Sequence, residues 1–330
     1  MKVTDIIAAR QTPGFSFEVL PPLKGRGINQ LFKNIDILCE FDPLYINITT
    51  HRSEIVFKDT SDGLYRRVSE RSRPGTVAVA AAIQQKYGIP AVPHMICSGF
   101  SKIETEYALI DLNFLGITNL LLLRGDKAKH ESRFTPNADG HAHASELQQQ
   151  VNDFNRGYFI DGTKMDIITG ETFSYGVAGY PEKHEESPNP DIDLQYLKLK
   201  VDNGADYIVT QMFFDNEKYF RFVERCRNAG INVPIIPGLK PITTMSQLNL
   251  LPKVFHVDMP SDLANELMKC TSDAQAKEIG VEWCTMQARE LIAHNVPSIH
   301  FYSLNATRSV ERVAPVSYTH LRAHETVLDL

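Results

Sequence analysis

Short apolar runs alternate with stretches of helical periodicity along most of this chain. Phe15 to Leu20, Leu44 to Thr49, Ile89 to Cys97, Ile117 to Leu123, Ser174 to Gly179, Tyr207 to Gln211, Pro234 to Pro237 and Ser298 to Ser303 read as strands. Between them, helical spacing runs through Gly27 to Phe41 (Ile28, Leu31, Ile35, Leu38), Thr76 to Lys86, Ala144 to Asn155, Asp191 to Asn203 and Glu217 to Ala229. It returns in Thr243 to Leu250, Asp262 to Met268 and Asp273 to His294. Ser101 followed by Glu104 is a capping box and opens a further helix to Leu115. Residues 1–13 are a lead-in with a helical turn, and the stretch after Arg52 is polar. Asp126 to His143 is a long loop, and the Asp161-Gly162 turn within Gly157 to Phe173 predicts an inserted β-hairpin.

Strand–helix alternation demands a parallel sheet. Eight such units match a closed (β/α)8 TIM barrel, usually about 250 residues plus insertions. The rival, an open doubly wound sheet, needs a Gly-rich phosphate turn after an early strand. Here the first strand ends on Pro21-Pro22, and no G-x-G-x-x-G is present. One barrel domain over residues 1–315 is the expectation. From Val316 the text Val-Ser-Tyr-Thr-His-Leu-Arg-Ala-His-Glu-Thr loses the periodicity of the helix starting near Arg308. It resembles a translated sequencing adapter, so residues 316–330 are set aside as an artefact tail.

Composition narrows the class. A net charge of −6 gives no general attraction to nucleic acid or anionic membranes. No apolar run is long enough to span a bilayer, and the N-terminus has no signal pattern. The five cysteines are scattered, with no C-x-x-C, which predicts a reduced cytoplasmic protein without structural zinc or an iron–sulfur cluster.

The strands end on unusual polar residues: Glu18, Thr49, His94, Arg124-Gly125-Asp126, Tyr180, Gln211 and the Pro237-Gly238 bend. In a TIM barrel such ends gather at the ligand-binding face. Few histidines on strands and dispersed carboxylates argue against a metal. His141-x-His143 reads as a solvated loop pair. No nucleophile–base pair is evident. The set suits a large polar organic ligand.

Seven motifs in order carry a resemblance to the methylenetetrahydrofolate reductase family, in its bacterial, catalytic-domain-only form. They are Phe17-Glu18-Val19-Leu20-Pro21-Pro22, Pro93-His94, Leu123-Arg124-Gly125-Asp126, Tyr180-Pro181-Glu182-x-His184, Thr210-Gln211-Met212-Phe213-Phe214-Asp215, Ile236-Pro237-Gly238 and His300-Phe301-Tyr302-Ser303-Leu304-Asn305. The resemblance implies tightly but non-covalently bound FAD. It implies ping-pong hydride transfer from NADH or NADPH to 5,10-methylenetetrahydrofolate, giving 5-methyltetrahydrofolate for methionine biosynthesis, in a homo-oligomer.

It also implies residue roles. Glu18 resembles the general acid that opens the folate ring, and Asp126 the carboxylate near flavin and pterin. Thr49, Thr50 and His94 resemble the flavin shell, and Arg124 and Gly125 the phosphate and backbone contacts. His143-Ala144 fall at adenosine positions, Tyr180 and His184 at FAD positions, Asp193 at ribose and Lys200 at phosphate. Gln211 resembles the residue that meets pterin or nicotinamide, and Gln247 a substrate contact. Departures from the family pattern stand at Ile96, Tyr196, Leu199, Leu251 and Ala306, the last where some members carry an arginine for the folate's glutamate tail; Arg308 is the candidate substitute. The rival activities are a pterin-dependent methyltransferase and a flavoenzyme of the proline dehydrogenase type.

Overall fold

The structure is a computed structural model; it describes residues 1–128, 131–166, 171–304 and 306–315. The tail set aside from the sequence lies outside the described residues. After a short helix α1 (Val3–Ala8), the chain runs β1 (Gly14–Val19), α2 (Asn29–Cys39), β2 (Ile46–Ile48), then a hairpin of β3 (Glu54–Asp59) and β4 (Tyr65–Glu70). It continues α3 (Thr76–Tyr87), β5 (Ala91–Ile96), α4 (Lys102–Phe114), β6 (Asn119–Leu123), α5 (Ala144–Asn155), β7 (Ser174–Gly179), α6 (Pro190–Asp202), β8 (Tyr207–Met212) and α7 (Asn216–Asn228). β9 (Ile235–Leu239), α8 (Gln247–Phe255), α9 (Ser261–Met268), α10 (Asp273–Ala293) and β10 (Ser298–Phe301) follow, with helical residues again over 307–315.

Eight strands form a closed barrel in the order β1-β10-β9-β8-β7-β6-β5-β2, as the alternation demands. By packing, the chain divides into two compact units. One holds Met1–Val19, Lys33–Ile46 and the chain from Gly176 onward; the other holds Leu20–Phe32 and Asn47–Tyr175.

In the first unit, β1 is buried along its whole length. Alternation puts Phe15 and Phe17 on one face and Ser16 and Glu18 on the other. The Phe17 ring stacks on Phe301 at 6.0 Å between centroids, and Phe15 meets Phe301 edge-on at 5.6 Å. Two hydrophobic-looking positions are glycine because nothing larger fits. A Cβ on Gly14 would lie 2.8 Å from the Leu44 side chain, and one on Gly176 would overlap the Tyr207 ring. Tyr207 is fully buried and packs on Tyr45 at 6.4 Å. Gly176→Ala is therefore expected to destabilise the protein by about 1–3 kcal/mol; the urea midpoint measures it.

The helices begin where their caps dictate. In α4, Ser101 accepts from the Glu104 backbone N–H at 3.2 Å while Glu104 accepts from the Ser101 N–H at 2.8 Å, completing the expected capping box. Asn189 caps α6 just before Pro190, and Asp215 caps α7.

The second unit holds the one antiparallel sheet among the described residues, β3 with β4, paired from Glu54 opposite Glu70 to Asp59 opposite Tyr65. It occupies the stretch that reads only as polar. Both strands are exposed on both faces, so no alternation of apolar and polar residues marks them. The turn expected around Asp161-Gly162 is present in miniature. Phe159 N–H donates to the Thr163 carbonyl at 2.9 Å and Met165 N–H to Gly157 at 2.8 Å, around a single Tyr158–Lys164 bridge. Among the described residues of 157–173 no strand forms; residues 167–170 lie outside them.

Candidate active site

Glu18 is the penultimate residue of β1 and 6% exposed. Its backbone is held from the far end of the chain. The Ser303 hydroxyl and the Leu304 N–H both donate to the Glu18 carbonyl, at 2.6 and 3.1 Å. Register explains the neighbours: Ser16 pairs with His300 and Phe17 with Phe301, so the inward side chains of β1 and β10 share levels. His300, fully buried, places Nε2 3.9 Å from the Glu18 carboxylate, and its Nδ1 meets the Ser16 hydroxyl at 3.0 Å. Burial pushes the pKa of the Tyr45 hydroxyl up to about 12, with the neighbouring Ser16 and Ser298 side chains opposing it. A polar column thus runs beneath the acid: Glu18, His300, Ser16, Tyr45, Ser298.

Two further groups face this carboxylate. Tyr302 donates from its hydroxyl to the Thr210 carbonyl at 2.6 Å and lies edge-on to His300. Burial first, and the Glu18 charge second, raise its pKa well above the ordinary tyrosine value. The Lys240 ammonium is pulled below its usual value by burial, with Glu18 acting the other way. Sequence reading missed His300, Ser16, Tyr45 and Lys240 as site residues. The available signal was the polar alternation Ser16-x-Glu18 and His300-x-Tyr302 inside otherwise apolar strands.

The same unit places Tyr180, His184, Asp193 and Lys200 together. Tyr180 and His184 meet edge-on at 4.8 Å. Asp193, on α6, accepts from the Ser187 hydroxyl at 2.7 Å and from the His184 N–H at 3.3 Å. Lys200, two turns further along α6, donates to the Ala178 carbonyl at 2.6 Å and lies 6.0 Å from the Tyr180 ring centre. Burial pulls its pKa down to about 8, with Asp193 opposing. Lys183 in this turn holds a positive φ of 132°, a strained conformation for a side chain with a Cβ. Gln211 sits on β8, where its side-chain oxygen accepts from the Met212 N–H at 2.9 Å. Gln247 begins α8 and accepts from the Thr243 N–H at 2.7 Å, so its oxygen is engaged in fixing that turn.

In the second unit, the Arg124-Gly125-Asp126 turn follows β6. Ser98, after β5, holds it: Ser98 N–H donates to the Arg124 carbonyl at 2.9 Å, and its hydroxyl to the Asp126 carbonyl at 2.6 Å. Arg52 donates to the Ser98 hydroxyl at 3.2 Å. Gly125 has φ 81°, and a Cβ there would stand 2.9 Å from that of Ser98. Only glycine meets both demands. The Arg124 guanidinium lies over the Phe134 ring at 4.8 Å. Thr50 donates to the carbonyl of the buried His94, and Thr49 meets His51 at 3.2 Å. His143 is exposed just before α5, with Ala144 its first residue. His141 departs from the expected solvated pair: it is 4% exposed, and its Nε2 meets the Gln150 side-chain oxygen at 2.6 Å.

Each unit by itself carries groups of a kind that suit a dinucleotide: in the second, Arg124 is a cation able to bind phosphate and Gly125 brings bare backbone to the surface of its turn; in the first, Lys200 is a cation and Asp193 can accept from hydroxyls. Half-buried Lys200, bonded to the Ala178 carbonyl, and the Ser98-braced glycine are more than a solvated helix face and a plain turn require.

Comparison with known proteins identifies the family. A family model described as methylenetetrahydrofolate reductase matches residues 2–316. Methylenetetrahydrofolate reductase (NADH) 1 of Arabidopsis thaliana is 31% identical over 94% of this chain and 49% of its own. The chain spans about half the length of such curated relatives. 5,10-Methylenetetrahydrofolate reductase of Salmonella typhimurium is 30% identical over 88% of this chain and 86% of its own. The solved structure of a Clostridium thermocellum protein, described as binding two copies of 5-methyl-5,6,7,8-tetrahydrofolic acid, has the same fold (TM-score 0.57, 16% identity, covering 96% of this chain and 97% of that one). With the barrel, the glycine turn and a family match over nearly its whole length, the chain belongs to the methylenetetrahydrofolate reductase family.

Proposed function

We propose that this chain reduces 5,10-methylenetetrahydrofolate to 5-methyltetrahydrofolate at the expense of NADH or NADPH, through tightly bound FAD, in a ping-pong sequence and in the cytoplasm. The observation that carries the reading is Glu18, a buried carboxyl with its backbone locked at the end of β1, in a chain of this family.

When bound, FAD supplies the hydride relay. Thr49, Thr50, His94, Arg124, Gly125, His143, Ala144, Tyr180, His184, Asp193 and Lys200 are proposed to hold it. The protein's own chemistry is proton delivery and charge placement. Glu18 gives a proton to the folate's ring nitrogen, which lets the five-membered ring open to a cationic iminium. A carboxylic acid held in place at a strand end can serve as a positioned proton donor. The Ser16–His300 contact fixes the imidazole beneath it and so restricts the carboxyl's orientation. Asp126 offers negative charge to the cation once it forms. Gln211 orients pterin or nicotinamide, and Gln247 steadies the substrate through its turn.

The direct check is product analysis. Protein incubated with FAD, NADH and 5,10-methylenetetrahydrofolate should form 5-methyltetrahydrofolate, resolved by liquid chromatography; its absence with either NADH or NADPH would refute the reading. A pH effect follows from Lys200. Its ammonium, already down at about 8, loses its charge as pH rises through that value. FAD affinity should therefore weaken between about pH 7 and about pH 9, through the loss of a charge-assisted contact. Titrating flavin fluorescence against apoprotein measures this; Lys200→Met should bind weakly with that pH dependence removed.

A further inference from the structure

α4 carries more exposed apolar surface than its fold requires. Thr105, Glu106, Leu109 and Leu112 are its buried face. The outer face presents Ile103, Tyr107, Ile110 and Phe114 at 41, 60, 41 and 88% exposure, with Leu115 at 40% beyond the C-terminal end. Among the described residues no other helix exposes more than two large apolar side chains. Single exposed apolar residues are ordinary; a continuous stripe at helical spacing marks an interaction face. Tyr158 and Ile160, at 41 and 39% exposure, extend it, because the Ile160 N–H donates to the carboxylate of Glu106 on α4.

We propose that this face is the contact through which two copies of the chain pair about a twofold axis. Three features favour a second copy as the occupant. First, the stripe is spaced four, three and four residues apart, which reads the same in both directions. An antiparallel copy of α4 therefore sets Ile103 against Phe114 and Tyr107 against Ile110, the self-complementary arrangement a twofold contact needs. Second, the area is right. With full side chains of about 150–250 Å² for the aromatic members, the seven residues expose on the order of 700 Å². Each partner in a standard interface gives about 800 Å². Third, the ends are complementary in charge. Lys102 at the start of one helix comes to the C-terminal turn of the other, where the helix dipole is negative and Asp111 is one turn away. Tyr107 and Ile110 form the centre, and Phe114 is the aromatic anchor at each end.

Sedimentation velocity on the purified full chain tests this. The wild type should sediment as an even-numbered assembly. Ile110→Glu with Phe114→Glu should halve its mass, with the circular dichroism spectrum unchanged, since neither side chain is buried. Orientation is tested separately. Ile103→Cys and Phe114→Cys chains, mixed and oxidised, should form a cross-linked dimer that neither forms alone. A monomeric wild type, an unchanged mass in the double variant, or no cross-link in the mixture would overturn the proposal.

Discussion

Glu18→Gln should leave reduction of the bound flavin by NADH nearly unchanged and remove folate reduction. Glutamine keeps the shape of the glutamic acid, so the backbone contacts from Ser303 and Leu304 survive. It has no proton to give. A positioned general acid contributes roughly 10²–10⁴-fold, and the folate half-reaction should fall by that factor. Stopped-flow measurement of the two half-reactions separates them. An equal loss in both would mean that Glu18 holds the site together rather than serving as its acid. The column beneath the carboxyl makes the contrast sharp, because His300 is fixed by Ser16 and does not depend on the Glu18 charge for its place.

Gly125→Ala should produce a folded protein that purifies with little flavin. At φ 81° an alanine pays the left-handed penalty, about 1–2 kcal/mol. Its Cβ also meets Ser98 at 2.9 Å, and that residue cannot retreat without releasing the Arg124 and Asp126 carbonyls. Displacing the turn moves Arg124 and Asp126 together. An affinity loss of about tenfold corresponds to 1.4 kcal/mol, so the strain alone suffices for roughly that much. The flavin-to-protein absorbance ratio of the purified variant reports it; full loading at wild-type affinity would show that the turn has no part in holding flavin.

The barrel was legible because its strands are buried on both faces and end abruptly. Leu120 to Leu123 followed by Arg124-Gly125-Asp126 shows both features, and β6 ends at Leu123. The hairpin of β3 and β4 was not legible, since exposure on both faces erases the alternation that identifies a strand. At the site, residues on strand ends could be named from sequence, but those reaching them from elsewhere could not. Ser98 grips the glycine turn from 26 residues earlier than Arg124, and His300 reaches Glu18 from the opposite end of the chain. Such contacts depend on strand neighbours, which periodicity alone does not order. Gln247 likewise has a contact that spacing does not show: its side-chain oxygen accepts from the Thr243 N–H. His141 was misread because a histidine in a polar loop gives no sign of the Gln150 partner on α5 that buries it.

The central claim is that one flavin serves both half-reactions, and anaerobic absorbance spectroscopy tests it most directly. NADH added to the purified protein should bleach the flavin band, and 5,10-methylenetetrahydrofolate added next should restore it. A band that bleaches and stays bleached, or a protein that FAD cannot reconstitute, would contradict the account.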